Sequence, residues 1–338
     1  MLNVLQFLGG NGISLLLLAS ITAGAGTGHF SPDSSIWLSD RVDATLLLLI
    51  GLLFFGVRFN AIVRALGHLR FIAVALLANF VLVPCIGWAI ASLVLPEHPL
   101  LMVGLVIYFM SPCTDWFLGF TRLAKGNVAL GTALIPINMV VQLLLYPLYL
   151  HWFTRNIVPV EADLIGQTLL QWFLLPLVIA TAAHHILHRL LAPARFARLL
   201  AMADHTTPWV IALLVMEIFA ANIDTIVAHR GVFGWLLLAV FLFFIATFVL
   251  GEALSRMAGL RYPEHALLTL TIAARNAPLM LAISMAALPD QPLIHAAIVI
   301  GMLLEFPHLT LLRQLLLRSQ THARYHHSTA GAETIPTR

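Results

Sequence analysis

The sequence predicts an all-α membrane protein: ten transmembrane helices in two inverted five-helix repeats, with the fourth and ninth helices broken where they cross. Three observations predict it. Of the 338 residues 60% are hydrophobic and only 10% are charged, whereas soluble domains carry about 25% charged residues, and the mean hydropathy is +0.95. Apolar stretches of bilayer length follow one another along the whole chain, and short motifs recur at matching places in its two halves.

The stretches lie near residues 8–28, 42–57, 69–94, 99–121, 127–152, 164–187, 206–227, 231–254, 263–288 and 291–316. Each can span about 30 Å of hydrocarbon as a helix. The opening MLNVLQFLGGNGISLLLLAS lacks the basic start of a secretory signal, although a short apolar run followed by AGAGTG has something of a signal's outline; it reads as a retained first helix. Lysine and arginine test the count, because cytoplasmic loops hold the excess of basic residues. With the N-terminus inside, 14 of the 18 fall on the cytoplasmic side, only Arg41, Arg155 and Arg230 fall outside, and Arg275 lies within the ninth helix. A miscounted helix would scramble that pattern. The expectation is a multi-pass protein of the inner (plasma) membrane with both termini cytoplasmic.

The net charge of +3 is small and spread over short loops. The pI of 9.2 therefore concerns membrane orientation rather than nucleic acid. Cys85 and Cys113 are the two cysteines, both inside apolar segments, which argues against a disulfide framework. No GxxxxGK[ST] loop is present, and no soluble segment is long enough to hold one. No cofactor is expected, and no nucleophile with its base suggests an enzyme. Energy comes from an ion gradient, or transport is passive.

The internal repeat is carried by two pairs of motifs. Asn79-Phe80-Val81-Leu82 in the third helix reappears 168 residues later as Thr247-Phe248-Val249-Leu250 in the eighth. Asn138-Met139-Val140-Val141-Gln142 in the fifth corresponds to Gly301-Met302-Leu303-Leu304-Glu305 in the tenth, with Gln142 and Glu305 163 residues apart. Five helices per half is an odd number, so the second half enters the membrane inverted, a plan common among secondary transporters. The repeats are 1–153 and 164–318, and 319–338 reads as a disordered, polar cytoplasmic tail with His322, His326 and His327.

Helix four reads GLVIYFMSPCTDWFLGF and helix nine LLTLTIAARNAPLMLAI, each with a proline and a polar cluster near its middle. Proline removes a backbone donor and clashes with the preceding turn, so such helices break. Half-helices whose termini meet at mid-depth offer partial charges and unpaired carbonyls to a substrate or ion. Into this site project Ser111, Cys113, Thr114 and Asp115 from helix four, with Arg275 and Asn276 from helix nine. Asp115 and Arg275 are expensive in hydrocarbon if left alone, so they are expected to pair, either as working parts or as a tie between the two broken helices.

Glu217, Glu252 and Glu305 also fall in apolar segments, while Asn79, Asn138 and Gln142 add neutral polarity. Glu305, at the repeat position of Gln142, is a candidate proton carrier. Asp115, Asn138, Gln142 and Asn79 are further candidates for ion coupling. Glu252, near the cytoplasmic end of helix eight, reads equally well as an interfacial carboxylate, and Glu217 has no evident place. Cys113 beside the break suits a soft, thiophilic solute, whereas Cys85 next to Pro84 reads as packing. The run His184-His185-Ile186-Leu187-His188 sits among arginines at a cytoplasmic helix end and reads as interfacial rather than as a metal site.

These residues resemble the bile acid/arsenite/riboflavin transporter superfamily over about residues 40–318. The resemblance rests on LLLLIGLLFFGVRFN, on Asn79 with Pro84, on SPCTDW, on Lys125-Gly126-Asn127 and on AARNAPLML. It implies ten helices in two inverted repeats, with a core of helices three to five and eight to ten moving against a panel of one, two, six and seven. Pro112-Cys113-Thr114 is similar to the arsenite-exporter branch, whose helix-four cysteine goes with arsenite or antimonite transport, and Asn138 is compatible with that branch. Those exporters carry a glutamate in helix nine, and the bile-acid symporters a Glu and a Gln that hold sodium. Here Thr271 and Arg275 stand in that neighbourhood, and Ala277-Pro278-Leu279-Met280 carries no acid.

A fixed guanidinium repels a cation. The function expected is therefore an arsenite/antimonite-type efflux permease that works by alternating access and is coupled to protons rather than sodium. The alternative is an organic-anion symporter or uniporter in which Arg275 attracts the anion directly. The partners are a small inorganic or organic solute, protons or sodium, and the lipid bilayer.

Overall fold

The computed structural model describes residues 2–56, 66–114, 116–154, 170 and 174–332. Its regular structure is helical throughout: α1 (Leu2–Phe30), α2 (Pro32–Ser39), α3 (Val42–Phe55), α4 (Leu69–Val94), α5 (Pro99–Phe109), α6 (Phe117–Leu123), α7 (Val128–Thr154), α8 (Leu175–Leu190), α9 (Pro193–Ala228), α10 (Phe233–Met257), α11 (Tyr262–Ala273), α12 (Ala277–Ala287) and α13 (Pro292–Ala332). Among the described residues, five helical stretches are long and apolar enough to cross a membrane, at Leu69–Val94, Val128–Tyr146, Pro193–Ala228, Arg230–Met257 and Pro292–Gln320.

The fourth and ninth predicted segments are each split. The first stops at Phe109 and resumes at Phe117, and the second stops at Ala273 and resumes at Ala277. The second break precedes Pro278, which occupies the opening turn of α12, a position where a missing N–H costs nothing. The tenth segment runs further than expected. α13 continues to Ala332 through much of the stretch read as a tail, with no proline between residues 319 and 332 to stop the ladder, and residues 333–338 lie outside the described part.

Two groups of contacts organise the helices. α9 packs along α1 and α3, and α3 packs on α8. In the other group α13 packs on α5 and α12, α10 on α11, and α4 on both α5 and α10. The α5–α13 crossing is tight because each helix brings a glycine to it. A Cβ on Gly104 would come within 2.6 Å of the Ile294 carbonyl oxygen, and one on Gly301 within 2.7 Å of the Tyr108 ring. Without a hydrophobic force between helices in lipid, such close backbone approach supplies the packing attraction.

Three local devices set the polar residues in place. Residues Ala78–Leu82 form a turn of π-helix inside α4, the kind of bulge that re-aims a side chain, and Asn79 sits on it. Pro84 has no N–H to give four residues upstream, and the Tyr149 hydroxyl of α7 donates to the Phe80 carbonyl instead. At the end of α6, Lys125 takes a left-handed conformation (φ 57°) and Gly126 N–H reaches back to Thr121 O at 2.8 Å, a closing turn for the helix. Asn127 then caps α7, its Oδ1 accepting from Leu130 N–H at 3.1 Å, and its own N–H donates to Pro263 O at 2.8 Å, tying this corner to α11.

Candidate functional site

The two breaks cross and bind each other through the backbone. Cys113 N–H donates to Ala274 O at 3.0 Å and Asn276 N–H to Ser111 O at 2.9 Å, a single antiparallel bridge between Pro112 and Arg275. Chain that has left a helix at this depth needs partners, and here each broken segment supplies the other's. Four half-helices therefore end or begin around one point: the C-terminal ends of α5 and α11 and the N-terminal ends of α6 and α12.

Toward α7 the groups are neutral. Ser111 Oγ donates to Gln142 Oε1 at 2.5 Å, and Asn276 Nδ2 donates to Thr114 Oγ1 at 2.9 Å, so helix-four and helix-nine residues named from the sequence do meet. Gln142 Nε2 also touches Met139 Sδ at 3.3 Å. Asn138, fully buried one turn earlier, has neither amide atom hydrogen-bonded among the described residues. Cys113 is buried at the bridge itself. Its neighbour Asp115 lies outside the described residues, and with it the expected Asp115–Arg275 pair.

On the α10, α13 side the groups are charged. Arg275 is the largest wholly buried side chain of the described residues. Its Nη1 donates to Phe109 O at 2.9 Å, and its Nη2 to Ile272 O at 2.5 Å, Thr271 O at 3.0 Å and, more weakly, Asn79 Oδ1 at 3.5 Å. Asn79 is oriented in turn by donating Nδ2 to Thr271 Oγ1 at 3.3 Å. The backbone N–H of Arg275 donates to Glu305 Oε1 at 3.0 Å, and the Tyr108 hydroxyl donates to Glu305 Oε2 at 3.2 Å. Glu305 is 0% exposed. Tyr108 reaches it because its ring lies over Gly301, one turn before Glu305 on α13.

Of the residues expected from the sequence, Ser111, Cys113, Thr114, Arg275, Asn276, Glu305, Gln142 and Asn79 gather at the crossing, and Asn138 lies one turn from Gln142. Sequence reasoning missed Tyr108 and the carbonyls of Phe109 and Ile272; the one available signal for Tyr108 is a hydroxyl in an otherwise apolar half-helix. Glu217 is buried elsewhere, accepting from Thr45 Oγ1 at 3.0 Å between α9 and α3. Glu252 meets His265 Nε2 at 2.6 Å and Arg256 at 3.5 Å near the end of α10, in keeping with its interfacial reading. Cys85 lies on an exposed face of α4, and His184 on α8 contacts Phe55 O at 2.8 Å. No group of three or more metal-binding side chains occurs among the described residues. A largely apolar groove of about 650 Å³ lies apart from the crossing, between the Thr22–Phe30 end of α1 and the Ile223–Ala228 end of α9.

In sequence the chain is similar to known transport and resistance proteins. The chain is 24% identical over 274 residues to the arsenical-resistance protein Acr3 of Corynebacterium glutamicum, covering 74% of this chain and 71% of that one. It is 25% identical over 238 residues to a probable chloroplastic sodium/metabolite cotransporter, BASS2, of rice (Oryza sativa subsp. japonica), covering 68% of this chain but only 53% of the relative's length. It is also 22% identical over 268 residues to an uncharacterized sodium-dependent transporter, YocS, of Bacillus subtilis, covering 77% and 78% of the two chains. The model of the sodium bile acid symporter family matches residues 45–229. That match takes in more than half of the chain, and the protein belongs to this family of multi-pass membrane transporters.

Proposed function

We propose that the protein is an arsenite/antimonite-type efflux permease, working by alternating access and driven by protons rather than sodium. The observation that carries this reading is Cys113: a thiol buried where four half-helices meet, its own N–H bound across the crossing to Ala274 O. Trivalent arsenic and antimony are soft centres that favour sulfur ligands. The name of the Corynebacterium relative points the same way, since it ties one member of the family to arsenical resistance.

The ten-helix plan, with both termini cytoplasmic in the inner membrane, belongs to this reading. It is supported by a correspondence between the halves: Ser111 is held by Gln142, 31 residues on, and Arg275 by Glu305, 30 residues on. In that plan the group containing α4 to α7 and α10 to α13 is the moving core, and α1, α3, α8 and α9 are the panel. Glu305, bonded to both half-helices that end at the crossing, is the proton carrier, since its protonation would weaken the acceptor that holds Arg275 N–H and so bias the crossing between two states.

Two relatives are named for sodium, and an organic-anion symporter is the second reading. It needs the guanidinium of Arg275 to face the anion, but both terminal nitrogens already donate to carbonyls or to Asn79, and Nε alone is without a partner among the described residues. Purified protein in liposomes, tested with arsenite and with organic anions under separate proton and sodium gradients, decides between them. Arsenite movement driven by the proton gradient alone supports the first reading, and sodium-dependent anion uptake replaces it with the second.

A further inference from the structure

We infer that Arg275 is a tethered cation: its guanidinium fills an oxygen cage at the paired ends of two half-helices, and removing it creates a binding site for a small monovalent cation such as sodium.

The cage follows from the helix breaks. In α5 the ladder ends with Met110 N–H on Val106 O, and in α11 with Ala274 N–H on Leu270 O. The carbonyls beyond those points have no donor in their own helix. Three of them, Phe109 O, Thr271 O and Ile272 O, are taken by Nη1 and Nη2 of the one arginine. The fourth oxygen, Asn79 Oδ1, is turned toward it by the amide's other contact with Thr271. Both helices present the negative ends of their dipoles here, where positive charge is favoured, and Arg275, Asn79 and Thr271 are all 0% exposed. A ring of carbonyl and amide oxygens that excludes water is the donor set of a hard monovalent cation.

Charge balance points the same way. The nearest described carboxylate is Glu305, which accepts the backbone N–H of Arg275 and so remains when the side chain is cut back. In wild type the guanidinium balances it. Truncation at 275 leaves one buried negative charge beside oxygens that have lost their donor, a costly arrangement that a bound cation relieves. The consequence for transport is that sodium has no place at this crossing in the native protein. That consequence bears on the coupling ion proposed above, but the cation site is read out without any solute, so a wrong substrate and a wrong cage are told apart.

The test is thermal unfolding of purified wild type, R275A and R275K in detergent, with sodium titrated against choline at constant ionic strength. R275A is expected to gain a saturable rise in its midpoint of about 5 °C when sodium is roughly 100-fold above its dissociation constant. Wild type and R275K, which keep a fixed positive charge, stay flat, and R275A/E305Q loses the response. Should R275A fail to fold, R275Q, whose amide still serves one carbonyl, takes its place with the same expectation. A flat titration of the neutral variant in both sodium and potassium overturns the inference, as does a sodium response of equal size in wild type.

Discussion

Glu305 Oε1 accepts the backbone N–H of Arg275 at 3.0 Å, while the arginine's side chain turns away from that carboxylate to three backbone carbonyls and Asn79. One residue thus offers two different handles: its amide to the acid on α13, and its charge to the ends of α5 and α11. The first contact depends on the charge state of Glu305, and the second does not.

Glu305→Gln keeps an acceptor oxygen for the Arg275 N–H and loses the titrating group. The variant should fold and bind solute as wild type does, yet lose acceleration by a proton gradient, giving a flat pH profile in liposomes between the acid and neutral range. A variant that still concentrates solute in proportion to the gradient would remove Glu305 from the coupling step.

The charge swap Asp115→Arg with Arg275→Asp separates a simple ion pair from a carbonyl stopper. A carboxylate at 275 would face Phe109 O, Thr271 O and Ile272 O, all acceptors, with repulsion in place of three hydrogen bonds to a charged donor, each worth about 1.5–3 kcal/mol. The swapped protein should fail to yield a monodisperse peak in size-exclusion chromatography. Recovery of folding and transport would mean that the pair acts only through opposite charge.

Asn138 has no hydrogen-bond partner for either amide atom among the described residues, a cost to the resting protein of about 1–3 kcal/mol that only a ligand would justify. Asn138→Leu should therefore unfold at the same temperature as wild type or higher, while transport falls more than tenfold. Loss of stability with transport intact would make Asn138 a structural residue.

Gly301→Ala places a methyl within 2.7 Å of the Tyr108 ring, which is buried and cannot swing aside. Overpacking of this kind costs about 1–3 kcal/mol and moves the hydroxyl off Glu305. A lowered unfolding midpoint, restored in part by adding Tyr108→Ala, is the expected result in a thermal scan.

Much of this centre was legible in the sequence because prolines and polar residues inside apolar runs are rare. Pro112 and Pro278 located the breaks, and the repeat put Gln142 and Glu305 at matching places in the two halves, but that each binds the broken segment of its own half emerges only from the structure. Arg275 was harder. A sequence displays charges, so an acid was sought for it, whereas the described partners are carbonyls that every residue possesses and that only a broken helix releases. Glu217 had no evident place because its partner, Thr45, is 172 residues away and carries no pattern of its own. The bulge at Ala78–Leu82 was equally silent, since Pro84 announces a disturbed ladder but not which side chain it re-aims.

The central claim is that a thiol at the crossing handles a soft solute. Everted membrane vesicles energised by a proton gradient measure it directly, comparing arsenite accumulation by wild type and Cys113→Ser at matched protein levels. The account predicts accumulation by wild type and at least a tenfold loss in the serine variant, with its unfolding temperature unchanged. Equal accumulation by the two proteins would contradict it.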